Sequence, residues 1–183
     1  MQAELHTSSL AQIQHLRDFF NAQDTNELSM AFDRFDFPIH VEEEELETLF
    51  NRYFVGPMEP LAAPYASIYI DDPDVVMGKS TLLVRKLYET MGFTYPLKNS
   101  VPEDYIGTEL DAYYQLLYLE EVKQNTYLSE LRHYFLHEHL AQWIPKFCET
   151  IMGQRSEASN AIHFIILELK SLLIRETTTT RSS

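Results

Sequence analysis

At 183 residues, with 45% apolar and 13% aromatic side chains, the chain is long enough to bury a full core and short enough to be one domain. Its 14 Lys and Arg against 28 Asp and Glu leave a formal charge of −14. That charge argues against nucleic acid as a partner, because phosphates meet repulsion over most of the surface, and leaves a basic peptide as a suitable one. With 5 Gly, few Val or Thr runs and many Leu, Glu, Tyr and Phe, the composition favours helices over strands. The lone Cys148 excludes an intrachain disulfide and fits a reducing compartment. MQAELHTSSL lacks the basic start and apolar core of a secretory leader, and no apolar run is long enough to insert across a bilayer, so a cytoplasmic chain is expected.

From Ser9 to Asn21 the apolar Leu10, Ile13, Leu16 and Phe20 recur at helical spacing, with Ser8 or Ser9 available as cap. Leu28, Phe32 and Phe35 predict a short second helix that starts near Asn26 and stops before Pro38. Glu42 to Glu45 supply a negative first turn for a third, whose Leu46, Leu49, Phe50, Tyr53 and Phe54 form one stripe, and Gly56 with Pro57 ends it. Residues 57 to 78 hold four prolines and are read as a long loop through which no helix runs. Tyr65, Ile68, Tyr69 and Ile70 argue against disorder there; each suits pinning the loop to the core as well as it suits binding. The flexible thioether of Met58 suits a groove that accepts varied apolar side chains.

Met77 to Thr81, MGKST, looks like the end of a phosphate-binding loop, but the first Gly of that motif falls at Pro73, and the reading is rejected. Ser80 is read instead as the cap of a helix carrying Leu83, Val84, Leu87, Tyr88 and Met91, with Gly92 as its stop. Ser100 and Glu103 stand in capping-box spacing, and Pro102 fits a first turn, so a central helix is expected to start there. Its apolar face is Ile106, Leu110, Tyr113, Tyr114 and Leu117, with Glu103, Asp104, Glu109 and Asp111 on or near the other side. Asn125 or Thr126 caps another helix with Tyr127, Leu128, Leu131, Tyr134 and Phe135. On it His133 and His137, at i and i+4, could bind zinc with Glu130, although the H-E-x-x-H pattern fails at Ala141 and half-buried amphipathic histidines are the commoner outcome. Ser156 caps a last helix whose apolar face is Ile162, Ile165, Ile166, Leu169, Leu172 and Leu173. TTTTRSS, residues 177 to 183, has nothing to bury and is expected to be a disordered tail on a single domain of residues 1 to 176.

P-E-D-Y-I-G-x-E-L, from Pro102 to Leu110, resembles the P-[DE]-D-H-x-G-x-E-L signature of the TorD/DmsD family of redox-enzyme maturation chaperones. The stretch from Tyr53 to Tyr88 is similar to that family's F-x-G-P, P-[YW]-x-S-[VI]-[YW] and G-x-S-x-x-x-[VL]-R run. HEHLAQWIPKF, from His137 to Phe147, is similar to its H-L-x-x-W-x-P-x-F run. Tyr105 stands where the signature has His, and Met58 where the family often has an aromatic residue. The resemblance implies a cytoplasmic chaperone that binds the twin-arginine leader of a molybdopterin-dependent oxidoreductase and holds back export until the cofactor is inserted. It further implies a helix-to-helix corner at His139, Leu140, Trp143, Pro145 and Phe147, with Trp143 under the loop and Pro145 opening the next helix.

Together these readings predict an all-α, single-domain bundle of roughly eight or more helices, with the Pro-rich loop packed beside the central helix. The expected peptide-binding residues are Met58, Tyr65, Tyr69, Pro102, Glu103, Asp104, Tyr105, Glu109, His139 and Trp143, carboxylates beside an aromatic groove. No cofactor is expected and no enzyme, since no Ser-His-Asp or Cys-His pattern is visible and Cys148 has no reactive context. The expected partners are the oxidoreductase precursor and its leader, and the expected assembly is a monomer or a helix-swapped homodimer. The alternatives are a metal-dependent hydrolase built on Glu130, His133 and His137, and a family member that activates a cytosolic metalloenzyme with no leader.

Overall fold

The computed structural model describes residues 2–71, 78–94, 101–154 and 159–179. Nine helices account for most of them: α1 (Gln2–Asn21), α2 (Thr25–Asp33), α3 (Glu43–Phe50), α4 (Ala66–Ile70), α5 (Lys79–Met91), α6 (Ile106–Glu121), α7 (Ser129–Phe135), α8 (Ala141–Met152) and α9 (Asn160–Thr179). Two π-helical turns extend this set, Asn51–Val55 after α3 and Leu136–Leu140 between α7 and α8. Among the described residues there is no strand, and no helix is long and apolar enough to cross a membrane.

The centre of the bundle is α6, whose first turns are buried on every side because Ile106, Gly107, Thr108, Glu109 and Leu110 are all enclosed. It packs mainly on α1 and also on α7, while α9 lies against α1 and α8. The apolar stripe at helical spacing in α1, Ile13, Leu16 and Phe20, is fully enclosed. A chain of aromatic rings crosses the core from α1 to α3 and α8, with Phe19 5.5 Å from Phe50, Phe20 5.4 Å from Phe54, and Phe54 6.0 Å from Phe147.

Several helix starts depart from the sequence reading. Ser9 is no cap: it lies inside α1, buried, and its hydroxyl accepts a 3.0 Å hydrogen bond from Arg175 of α9. α2 is capped by Asp24, whose carboxylate accepts from the Glu27 N–H at 2.8 Å. α5 begins one residue before Ser80 and ends as expected at Gly92, in the left-handed conformation with φ 65°. A short 3₁₀ turn, Thr126–Leu128, leads into α7 in place of a cap at Asn125. α9 starts after Ser159, whose hydroxyl accepts from the Ile162 N–H, and runs on through Thr179, so residues 177 to 179 of the expected tail are helical. Ser100, Ser156, Pro73, Met77 and residues 180 to 183 lie outside the described residues.

Two further expectations are corrected. The Pro-rich loop does hold a helix: α4 fits within the proline-free run that follows Pro64. Pro145 opens no helix but sits inside α8, which follows α7 through the π turn with no residue between them outside a helix. The π turn just before α8 takes up an extra residue at the point where proline, four residues on from Ala141, leaves a carbonyl without its helical donor.

Candidate functional site

Where α4 and α6 begin, their leading backbones lie antiparallel for one residue pair, Tyr65 against Tyr105. The Ile106 N–H donates to the Pro64 carbonyl at 3.0 Å, and the Ala66 N–H donates to the Asp104 carbonyl at 3.0 Å. The Asp104 carboxylate accepts the Ser67 N–H at 2.8 Å. Asp104 therefore satisfies two orphan N–H groups at the start of α4, a helix from another part of the chain, and is itself buried. This explains why α6 starts at Ile106 and not at Pro102: Tyr105 stays extended to hold the joint. Asp71 does for α5 what Asp104 does for α4. Both its oxygens accept the Ser80 N–H at 3.1 Å, its carboxylate also takes the Ser80 hydroxyl, and a Cβ on Gly78 would come within 2.0 Å of it.

One turn into α6, Glu109 is fully enclosed. Its Oε2 accepts the Trp143 indole N–H at 2.9 Å, and its Oε1 shares a proton with His139 Nε2 at 2.6 Å. Burial pushes the Glu109 pKa up, with His139 and Trp143 opposing. Burial alone would lower His139, but the Glu109 carboxylate outweighs it and the net direction is up. Both shifts say that the folded pair holds its proton tightly. Trp143 in turn stacks under the loop, 5.9 Å and 24° from the Tyr69 ring, as the sequence reading placed it. Tyr69 is fastened by a 3.1 Å bond from its hydroxyl to the Ala63 carbonyl and by Lys146 donating to its own carbonyl at 3.2 Å.

The ten expected binding residues thus divide. Asp104, Tyr105, Glu109, His139 and Trp143 are buried and cannot touch a peptide in this conformation. They act on the loop from beneath, and Tyr105, the residue in place of histidine, donates its hydroxyl to the Phe20 carbonyl near the end of α1. Met58, 67% exposed, and Pro102 face outward, while Tyr65, Tyr69 and Glu103 are half-buried. Val55 and Ile68 add exposed apolar side chains on the same stretch of chain. Glu103 does not cap α6; its carboxylate pairs with Arg85 of α5 at 2.7 Å, and its carbonyl accepts the Tyr88 hydroxyl at 3.0 Å. Arg85, Ser67 and Asp71 were missed as site residues, although Ser67 and Arg85 both lie in the quoted motifs. A hollow of about 300 Å³ between Asn51, Arg52 and Gly56 to Met58 opens beside the exposed thioether.

The zinc reading is not assembled. The His133 and His137 rings are 4.3 Å apart, but among the described residues no group of three or more His, Cys, Asp or Glu side chains is gathered to hold a metal ion. Burial pushes the Cys148 thiol up to about 12, so it is protonated and unreactive at neutral pH.

Asp104, Glu109, Ser67, Tyr69, His139 and Trp143 of this joint all lie in the resembling motifs, and the sequence pattern of the family described as "Nitrate reductase delta subunit" matches residues 3–149. The chain belongs to the nitrate reductase delta subunit family. Curated relatives of this delta subunit-type chain include a Salmonella typhi protein named "Tat proofreading chaperone DmsD", 28% identical over 110 residues, which are 60% of this chain and 50% of that protein. An Aliivibrio salmonicida "Chaperone protein TorD" is 30% identical over 109 residues, 56% of this chain and 50% of that protein. The chain spans about half the length of these relatives, which are named as chaperones and not as enzymes. A crystal structure of an Archaeoglobus fulgidus protein described as a redox enzyme maturation protein shares the helical fold, with a TM-score of 0.56 and 17% identity over 91% of this chain and 93% of that one.

Proposed function

We propose that this protein is a cytoplasmic chaperone that binds the twin-arginine leader of a molybdopterin-dependent oxidoreductase, its apoprotein, or both, and delays export until the cofactor is in place. The observation that carries the reading is the joint: buried Asp104 and Glu109 hold the loop from Pro57 to Ile70 as a rigid platform, with apolar side chains outward and a carboxylate at its edge. Met58, Tyr65 and Tyr69 offer surface to an apolar stretch of the leader, and Pro102 borders them. Glu103 already binds a guanidinium, that of Arg85, so a leader arginine can compete for the same oxygens with the geometry that carboxylates prefer. In this reading the buried members of the motif position the platform and touch nothing bound.

The chain has one tryptophan, which makes it a clean reporter. Titrating a synthetic twin-arginine leader peptide should alter Trp143 emission through its stack on Tyr69, with calorimetry giving the affinity. Met58→Glu should weaken binding about tenfold while leaving the melting temperature unchanged, because an exposed apolar contact is replaced by a charge. A leader that produces neither heat nor a fluorescence change at high micromolar concentration would remove the leader from this proposal. An apoprotein that binds with its leader deleted would instead favour the cytosolic-client alternative.

A further inference from the structure

The ion pair between Arg85 of α5 and Glu103 is one-sided. Arg85 Nε donates to Glu103 Oε1 at 2.8 Å, and Nη2 lies 2.7 Å from that same oxygen. Among the described residues nothing donates to Oε2, so the two-oxygen fork that a guanidinium and a carboxylate form at their strongest is not made. The Arg85 side chain is 39% exposed and that of Glu103 19%, so water screens the pair and its contribution to the fold is small. The backbone of Glu103 is held separately. Its carbonyl accepts the hydroxyl of buried Tyr88 at 3.0 Å, and the next residue, Asp104, is tied to α4 through both its carbonyl and its carboxylate. The Glu103 carboxylate can therefore change partners while the chain that carries it stays in place.

We propose that Arg85 is an internal stand-in for a leader arginine, a built-in competitor that occupies Glu103 until a leader displaces it. This rests on the leader-binding reading and adds to it the residue that sets how readily the site accepts a leader. An untethered guanidinium is free to take both carboxylate oxygens, whereas Arg85 uses one, so the exchange favours the leader. An ammonium, a point charge with no fork, gains less from the same exchange. Once displaced, Arg85 keeps its charge at the surface, in water, and no buried charge is stranded. Parting the pair still costs something, and that cost is subtracted from leader affinity. For a surface pair it amounts to a factor of about two to five.

Calorimetry of a synthetic twin-arginine leader peptide against four forms of the full chain tests it: wild type, Arg85→Gln, Glu103→Gln and the double variant. Arg85→Gln is expected to bind the leader about two- to fivefold more tightly than wild type, and Glu103→Gln more weakly. The double variant is expected to bind no more tightly than Glu103→Gln, because without the carboxylate Arg85 has nothing to occupy. Lys86→Gln removes the same charge one residue along α5 and is expected to leave affinity nearly unchanged, which controls for net charge. Arg85→Lys, which keeps the charge but not the fork, is expected to fall between wild type and Arg85→Gln and serves if the glutamine variant unfolds. A leader that binds Arg85→Gln no more tightly than wild type would overturn the proposal and leave the leader reading standing. So would a gain that persists in the double variant, which is the mark of net charge alone. A leader that binds none of the proteins would overturn both readings together.

Discussion

At the residue scale, what decides the role of an acid in this chain is which way it faces. Glu109 and His139 both hold protons more tightly folded than unfolded, so their contribution is fully present below the ordinary carboxylate and histidine range and is lost as pH rises through the raised value of His139. Thermal melts from about pH 6 to pH 9 should therefore show the wild type losing stability with rising pH more steeply than Glu109→Gln, whose amide can still accept from Trp143 but does not titrate. Parallel profiles for the two proteins would show that the pair is not the titrating unit. Asp104 poses a different question. Because it caps α4 through Ser67, Asp104→Asn should be mild and Asp104→Ala should cost about 1 kcal/mol or more in denaturant melts. Leader affinity should fall only in the alanine variant, through a loosened loop, because no peptide reaches a buried carboxylate. Loss of affinity in Asp104→Asn without loss of stability would mean that the joint opens when a leader binds.

At the element scale, the close approach of α1 and α6 depends on Gly107. A Cβ there would sit 2.1 Å from Asn21 Oδ1 and 2.8 Å from the Tyr105 ring, and Asn21 donates to the Gly107 carbonyl at 3.0 Å. Gly107→Ala should gain nothing from helix propensity and instead destabilise the fold by about 1–3 kcal/mol, measured by urea unfolding with an unchanged m-value. A stabilised variant would show that α1 yields easily at this point. The same element carries a second tie at its far end, where Arg132 of α7 holds Glu120 and the Tyr113 hydroxyl, and Tyr113 donates to Glu176 of α9 at 2.8 Å. α6 is thus fastened to a neighbour at both ends, and the loop is hydrogen-bonded to its start.

At the scale of the whole molecule, the formal charge of −14 is a field more than a set of contacts. Leader binding should weaken as sodium chloride rises from about 20 to 150 mM, because screening removes long-range attraction between a basic peptide and an acidic surface. Charge-free apolar contact would make affinity independent of salt, and calorimetry at the two concentrations separates the cases.

The helical class, the stripes of α1, α3 and α9, the stop at Gly92 and the family signature were all legible in the chain itself, because each rests on residues within a turn or two of one another. In its described part, from Pro57 to Asp71, the loop packs its Tyr65, Tyr69 and Ile70 against the core, and Trp143 was rightly placed beneath Tyr69. The tertiary structure alone decided what the signature does. Asp104 meets Ser67 across 37 positions and Glu109 meets Trp143 across 34, and no helical period carries information over such separations. Periodicity put Glu109 on the polar side of an amphipathic helix. In the folded chain Glu109 instead meets Trp143 of α8 and His139 of the π turn before it, so Asp104 and Glu109, read as part of a peptide-facing row, became the ties that hold the loop. A polar face is read from sequence as solvent-facing by default, and only the neighbours that pack on it determine whether it meets water, a partner, or another part of the same chain.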